Sequence, residues 1–182
     1  MGYRVMLRRL RAADEDEFVR LAEQSMRLHA DWVRTPADPE AFREYLAGFA
    51  DPAIGEALLI RRADTGGIAG HATLTGIVRG PYDRAVLGFA AFTPSRGQGF
   101  MTEGIGLTVR YALGPLGLHR VEADVQPDNE PSRRLVQRLD FRLEGLSPGF
   151  INIGGLWRDH ERWAITAGMT GALPPCEAHL MP

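Results

Sequence analysis

Lysine is absent from this 182-residue chain, whose 21 basic residues are all arginine. Genome-level codon bias is one account of that absence. Cysteine is nearly missing too: Cys176 stands alone, so no intramolecular disulfide can form, and a reducing cytoplasm is the expected setting. Nor is there a basic excess. The formal net charge of −2 argues against a general nucleic-acid binder, because phosphate contacts normally show as surplus positive charge, although docking on a basic protein stays open. No segment approaches the roughly 18 apolar residues that span a bilayer. Residues 1–10 alternate apolar and basic side chains without the continuous apolar core of a signal peptide. The expectation is a cytoplasmic protein, monomer or homodimer, with no membrane and no direct nucleic-acid partner.

What remains is an ordinary globular composition, 45% apolar and 24% charged, in a chain the size of one domain that needs neither disulfide nor metal to fold. One stretch organises it. An apolar, strand-like segment ending at Phe92 runs through Gly97 and Gly99 into an amphipathic run from Met101 to Leu113. A strand, a glycine-rich turn and a helix in that order aim several unpaired backbone N–H groups into one small volume, where the helix dipole adds partial positive charge. An anion such as a pyrophosphate fits there. Glycine pairs also occur at such turns for purely conformational reasons.

In chain order, Val5 and Leu7 alternate with polar neighbours as a short strand. A helix capped by the acids at 14–16, with Phe18, Leu21, Ala22, Ser25 and Leu28 on one face, is expected to end near Trp32. A second opens at Asp38-Pro39-Glu40. Three antiparallel strands joined by hairpins follow at 57–62, 68–78 and 85–92. After the glycine turn and its helix come a strand at 118–126, a helix at 129–139 entered through Pro131, and a long hairpin at 141–166 turning at Gly154-Gly155. Residues after Thr166 look like a loose tail. The class is α/β, a mixed sheet with helices packed on it.

Several pieces together resemble the Gcn5-related N-acetyltransferase (GNAT) superfamily. Its first motif, Arg/Gln-x-x-Gly-x-Gly/Ala, is matched by Arg96-Gly97-Gln98-Gly99-Phe100-Met101, with Met101 larger than usual. Its Asn-x-x-Ser is matched by Asn129-Glu130-Pro131-Ser132, followed by Asp140-Phe141 in place of Gly-Phe. Leu87-Gly88-Phe89, Leu118-His119-Arg120-Val121-Glu122-Ala123 and Gly155-Leu156-Trp157-Arg158-Asp159-His160 are similar to the Rim-type branch, which acetylates alanine N-termini of ribosomal proteins.

The resemblance implies a single acetyltransferase domain over 1–166, with 167–182 as tail. It implies one mostly antiparallel sheet of about seven strands, helices on both faces, splayed between strands 4 and 5. It implies acetyl-CoA as cofactor and no metal. The pyrophosphate would lie on Arg96, Gly97, Gln98, Gly99, Phe100, Met101 and Thr102. The pantetheine arm would run along Phe89, Ala90, Ala91 and Phe92, with Asn129 and Ser132 near its end and the N–H near Ala90 or Ala91 as oxyanion donor. Asn129 is equally suited to cap its helix. An enzyme that acylates amines would also, by lacking lysine, avoid modifying itself.

The acceptor implied is an amine, either a protein N-terminus or a small molecule such as an antibiotic or metabolite. A weakly catalytic CoA-binding or ribosome-associated protein is a further reading. Candidate bases are Glu103, Glu122 and Asp124, with Ser132 close to the sulfur. Glu103 also suits a first-turn acid, and Glu122 and Asp124 share one strand face. His29, His119 and His160 read as structural, and no His/Cys/Asp cluster has metal-ligand spacing. Trp32, Arg34 and the loop 147–150 would flank the acceptor.

Overall fold

The computed structural model describes residues 3–171, 173 and 180–181, so Cys176 and half of the expected tail lie outside the described residues. The elements are β1 (Val5–Arg9), α1 (Glu15–Gln24), α2 (Met26–His29), α3 (Pro39–Ala47), β2 (Gly55–Arg62), β3 (Ile68–Val78), β4 (Arg84–Ala91), α4 (Phe100–Leu113), β5 (Arg120–Val125), α5 (Glu130–Arg138), β6 (Arg142–Ile153), β7 (Leu156–Thr166) and the short β8 (Leu180–Met181). They form one sheet in the order β6-β7-β5-β4-β3-β2-β1-β8. The pairs are antiparallel except β4 with β5 and β1 with β8.

Both faces of the sheet are covered, and β2 shows how its sequence dictates this. Successive strand residues point to opposite faces. Leu58 and Ile60 therefore enter the core beneath α4 and α5, while Ala57 and Leu59 enter a second core with Phe18, Phe42 and Phe92. A strand buried on both sides needs an unbroken apolar run, and 57–60 supply one. Phenylalanines meet in the second core: Phe18 lies tilted against Phe42 with ring centroids 5.3 Å apart and edge-on to Phe92 at 5.3 Å.

Helix boundaries follow local chemistry. Asp38 accepts the N–H of Ala41 at 2.8 Å, capping α3, with Pro39 at its first turn. The single helix expected up to Trp32 is instead broken at Ser25. That fully buried side chain donates to Leu21 O at 2.7 Å and accepts the N–H of Thr93 at 3.0 Å, turning the chain toward β4. Asp140 takes the left-handed conformation, φ 59°, that its position after α5 demands. The expected loop at 147–150 is an irregularity inside β6, where the register with β7 shifts between Ser147 and Ile151. Among the described residues no helix is long and apolar enough to cross a membrane.

What positions the site is the seam in the middle of the sheet. β4 and β5 pair only through Arg84, Ala85 and Val86 against Arg120, Val121 and Glu122, then diverge. The remainder of β4 is open on that edge.

Candidate functional site

Alternation along β4 decides which backbone groups face the open edge. Phe92 donates its N–H to Ala69 O at 2.9 Å, and Gly70 lies opposite Ala91 and His71 opposite Ala90. In an antiparallel ladder, residues bonded to one neighbour alternate with residues facing the other. Phe92 and Ala90 therefore spend their polar groups on β3, whereas Phe89 and Ala91 direct theirs into the gap. Of the two oxyanion donors anticipated, the N–H of Ala91 has that direction and the N–H of Ala90 does not.

The gap opens into a groove of about 520 Å³ lined by the end of β4, the turn before α4, the start of α5 and the segment around α2. At the turn, Gly97 and Gly99 have φ of 74° and 82°, a region other residues rarely enter. That geometry lets α4 start abruptly. Among the described residues, the N–H groups of Phe100, Met101 and Thr102, the first three of the helix, have no acceptor. Arg96, Arg134 and Arg138 line the same groove. Arg134 pairs with Glu130 at 3.5 Å, while neither Arg96 nor Arg138 has an ion-pair partner among the described residues. Unpaired N–H groups at a helix start together with arginine side chains are an arrangement that favours an anion. Leu28, Trp32 and Val33 form an apolar part of the groove wall.

Asn129 caps α5 by accepting the Ser132 N–H on Oδ1 at 3.3 Å. The cap uses only the oxygen, so the amide NH₂ stays available to a ligand.

Of the anticipated site residues, the groove brings together Phe89, Ala90, Ala91, Arg96, Gly97, Gly99, Met101, Thr102, Asn129 and Ser132. It does not include the side chains of Phe92, Gln98 or Phe100. Phe92 is in the aromatic core, Gln98 donates to Pro94 O at 2.9 Å, and Phe100 lies under the guanidinium groups of Arg4 and Arg62.

The carboxylates Glu103, Glu122 and Asp124 also lie off the groove lining. Glu103 turns back to β1, accepting the N–H groups of Arg4 at 2.5 Å and Val5 at 3.3 Å and pairing with Arg4 Nε at 3.2 Å. Glu122 is held by Arg120 at 2.7 Å, Arg84 at 2.9 Å and Arg162 at 3.6 Å. Asp124 is raised in pKa by burial, opposed by Arg162, whose Nε is 2.6 Å away but too far out of line to count as a hydrogen-bond donor. Among the described residues no group of three or more His, Cys, Asp or Glu could hold a metal ion. Trp32 lines the groove, and Arg34 and 147–150 do not.

Two features escaped the sequence reading. Arg134 and Arg138 stand one helical turn apart beside Asn-x-x-Ser, a spacing that was there to be used. His29 lines the groove and donates Nε2–H to Ala91 O at 2.7 Å. Burial lowers its pKa, opposed in part by that bond. Only proximity in space could have revealed the contact.

The family model of the acetyltransferase (GNAT) domain matches residues 4–142, which take in β1, the open strand β4, the glycine turn and α5. The chain belongs to the GNAT acetyltransferase family. Among curated GNAT relatives, the [ribosomal protein uS5]-alanine N-acetyltransferase of Escherichia coli is 34% identical over 99 residues, 54% of this chain and 51% of that protein. The chain spans about half the length of the curated relatives it matches. Among solved structures, Mycobacterium smegmatis RimJ in complex with CoA-disulfide aligns with TM-score 0.82 and 25% identity over 92% of this chain and 84% of that one. Spermidine N-acetyltransferase from Vibrio cholerae, in complex with CoA and spermine, shares the fold at TM-score 0.79 and 18% identity, covering 93% and 99%.

Proposed function

We propose that this GNAT protein is a cytoplasmic, acetyl-CoA-dependent N-acetyltransferase whose acceptor is the α-amino group of a protein N-terminus, a ribosomal protein in the first instance. The observation that carries the reading is one continuous groove joining the open edge of β4 to the unpaired N–H groups at the start of α4.

The residues present suit the cofactor. The N–H groups of Phe100, Met101 and Thr102, with Arg96 and Arg138, would hold the phosphates. Phe89 would pair with the amide-bearing arm as a missing strand would, and the Asn129 NH₂ would add a donor. Acetyl-CoA supplies an acyl group activated as a thioester. The chain must orient the amine, exclude competing water and donate to the oxygen on which charge develops, a role the Ala91 N–H fits.

Proton removal makes modest demands on an α-amine. Its pKa near 8 leaves about a tenth neutral at pH 7, against well under about a thousandth for a lysine side chain. The lining is consistent with that. Its one carboxylate among the described residues, Glu130, is engaged by Arg133 and Arg134. A polyamine, carrying several positive charges into this groove, would find no free carboxylate to meet them.

The test is purified protein with acetyl-CoA and two acceptor panels, N-terminal peptides of ribosomal proteins and small polyamines or aminoglycosides. Turnover is followed by free-thiol release and product mass. Acetylated peptide N-termini are expected, and efficient turnover of small amines with untouched peptides would overturn the acceptor assignment.

A further inference from the structure

α2 is four residues long, too short to hold its position by its own ladder. Three side-chain bonds fix the segment 25–31 instead. Ser25 accepts from Thr93 N–H at 3.0 Å, His29 Nε2 reaches Ala91 O at 2.7 Å, and Gln126 Nε2, one residue past β5, donates to Asp31 O at 2.9 Å. The segment is therefore fastened to both strands that diverge at the seam.

The His29 bond is the informative one. A carbonyl oxygen only accepts, so Nε2 carries a proton. Among the described residues Nδ1 is buried without a partner, and the whole residue is 6% exposed, so the Nε2 bond is the ring's one polar contact there. Its acceptor, the Ala91 carbonyl, lies with that of Phe89 on the edge of β4 that no strand neighbour holds. Residues 90 and 92 on either side are locked to β3, so this bond completes the fixing of Ala91. Left unpaired, that carbonyl would present a lone pair to the same space in which the acyl oxygen gains negative charge. Held by His29, it is partly neutralised and cannot turn.

We infer that His29 is a positioning residue for acyl transfer, orienting Ala91 through its carbonyl so that the Ala91 N–H is aimed at the acyl oxygen. The inference rests on the acetyltransferase reading given above. His29 itself takes no proton from the amine.

The experiment compares wild type, His29→Phe and His29→Gln with the best acceptor from the amine panel. Phe keeps the aromatic packing on Phe92, whose ring centroid lies 6.3 Å away, and removes the donor, while Gln restores an N–H donor. His29→Phe should lower kcat on the order of 10²-fold, the scale of a small misplacement of a reacting group, with KM for acetyl-CoA changed by less than about threefold. His29→Gln should recover a large part of that loss. A His29→Phe protein that melts like wild type and keeps its kcat overturns the inference, as does a loss confined to KM. A second readout needs no variant to fold: ¹⁵N imidazole shifts of the wild-type protein at neutral pH should show His29 protonated on Nε2, and a ring protonated on Nδ1 alone overturns the inference. Failure of the acetyltransferase reading is recognised separately, because the wild type would then release no thiol with any amine, which removes the inference along with it.

Discussion

Gly70 on β3 lies directly beneath Met101 on α4: a Cβ at Gly70 would stand 2.4 Å from the Met101 sulfur and 2.5 Å from the carbonyl oxygen of Ala90. The large residue in the last position of the glycine motif is thus accommodated by the smallest one on the neighbouring strand. Gly70→Ala should cost about 1–3 kcal/mol, as overpacking does, and should weaken CoA binding by displacing the start of α4. Urea unfolding and calorimetric CoA titration would read both. The double variant Gly70→Ala/Met101→Ala should cost less than the two single changes added, because they share one contact.

Arg96 and Arg138 should act as anion contacts and little else. Replacing either with alanine is expected to weaken CoA binding by about 1–2 kcal/mol, roughly five- to thirtyfold in Kd, with the melting temperature nearly unchanged. Raising the salt concentration should shrink the difference between variant and wild type.

Two roles can be separated at Asn129. Asn129→Asp keeps the oxygen that accepts the Ser132 N–H and loses the NH₂, so stability should hold while KM for acetyl-CoA rises. Asn129→Ala loses both and should also destabilise the protein by about 1 kcal/mol, the ordinary value of an N-cap. Equal KM for Asp and wild type would leave Asn129 as a cap alone.

His71 should make stability depend on pH. It is buried among Phe18, Tyr45 and Phe92, with Tyr45 Oη 3.4 Å from Nδ1, and its pKa is lowered from 6.5 to about 3 by burial first and by His29 second. The folded protein therefore resists a proton that the unfolded chain accepts readily. Its neutral form leaves stability intact above about pH 6.5. As pH falls from there toward 3, up to about 1.4 kcal/mol is lost per unit. Urea midpoints at pH 7 and pH 4.5, compared with those of His71→Phe, should show a steeper loss in the wild type.

Much of the fold was legible because its signals are local. The turn residues at Gly154-Gly155, the proline-led entries to α3 and α5, and the apolar run of β2 each follow from chemistry within a few residues. Ser25 was not legible in the same way. Its place on an apolar helix face looked continuous with its neighbours, and only Thr93, 68 positions away in sequence, shows that the helix breaks there. The same limit applies at the site. The glycine turn and Asn129-x-x-Ser132 declare themselves by spacing, whereas Glu103, Glu122 and Asp124 looked available because Arg4, Arg84 and Arg162, which engage them alongside the nearby Arg120, are distant in sequence. His29 looked structural because Ala91, its acceptor, is visible only in three dimensions.

The short pairing of β4 with β5 has a mechanical consequence. Among the described residues, three register pairs are the whole of the strand pairing between one part of the sheet, β8-β1-β2-β3-β4, and the other, β5-β7-β6. Beyond them the two parts are like boards glued along part of one edge. A molecule bonded along that open edge would act as a brace, adding hydrogen bonds between the two parts where the strands themselves make none.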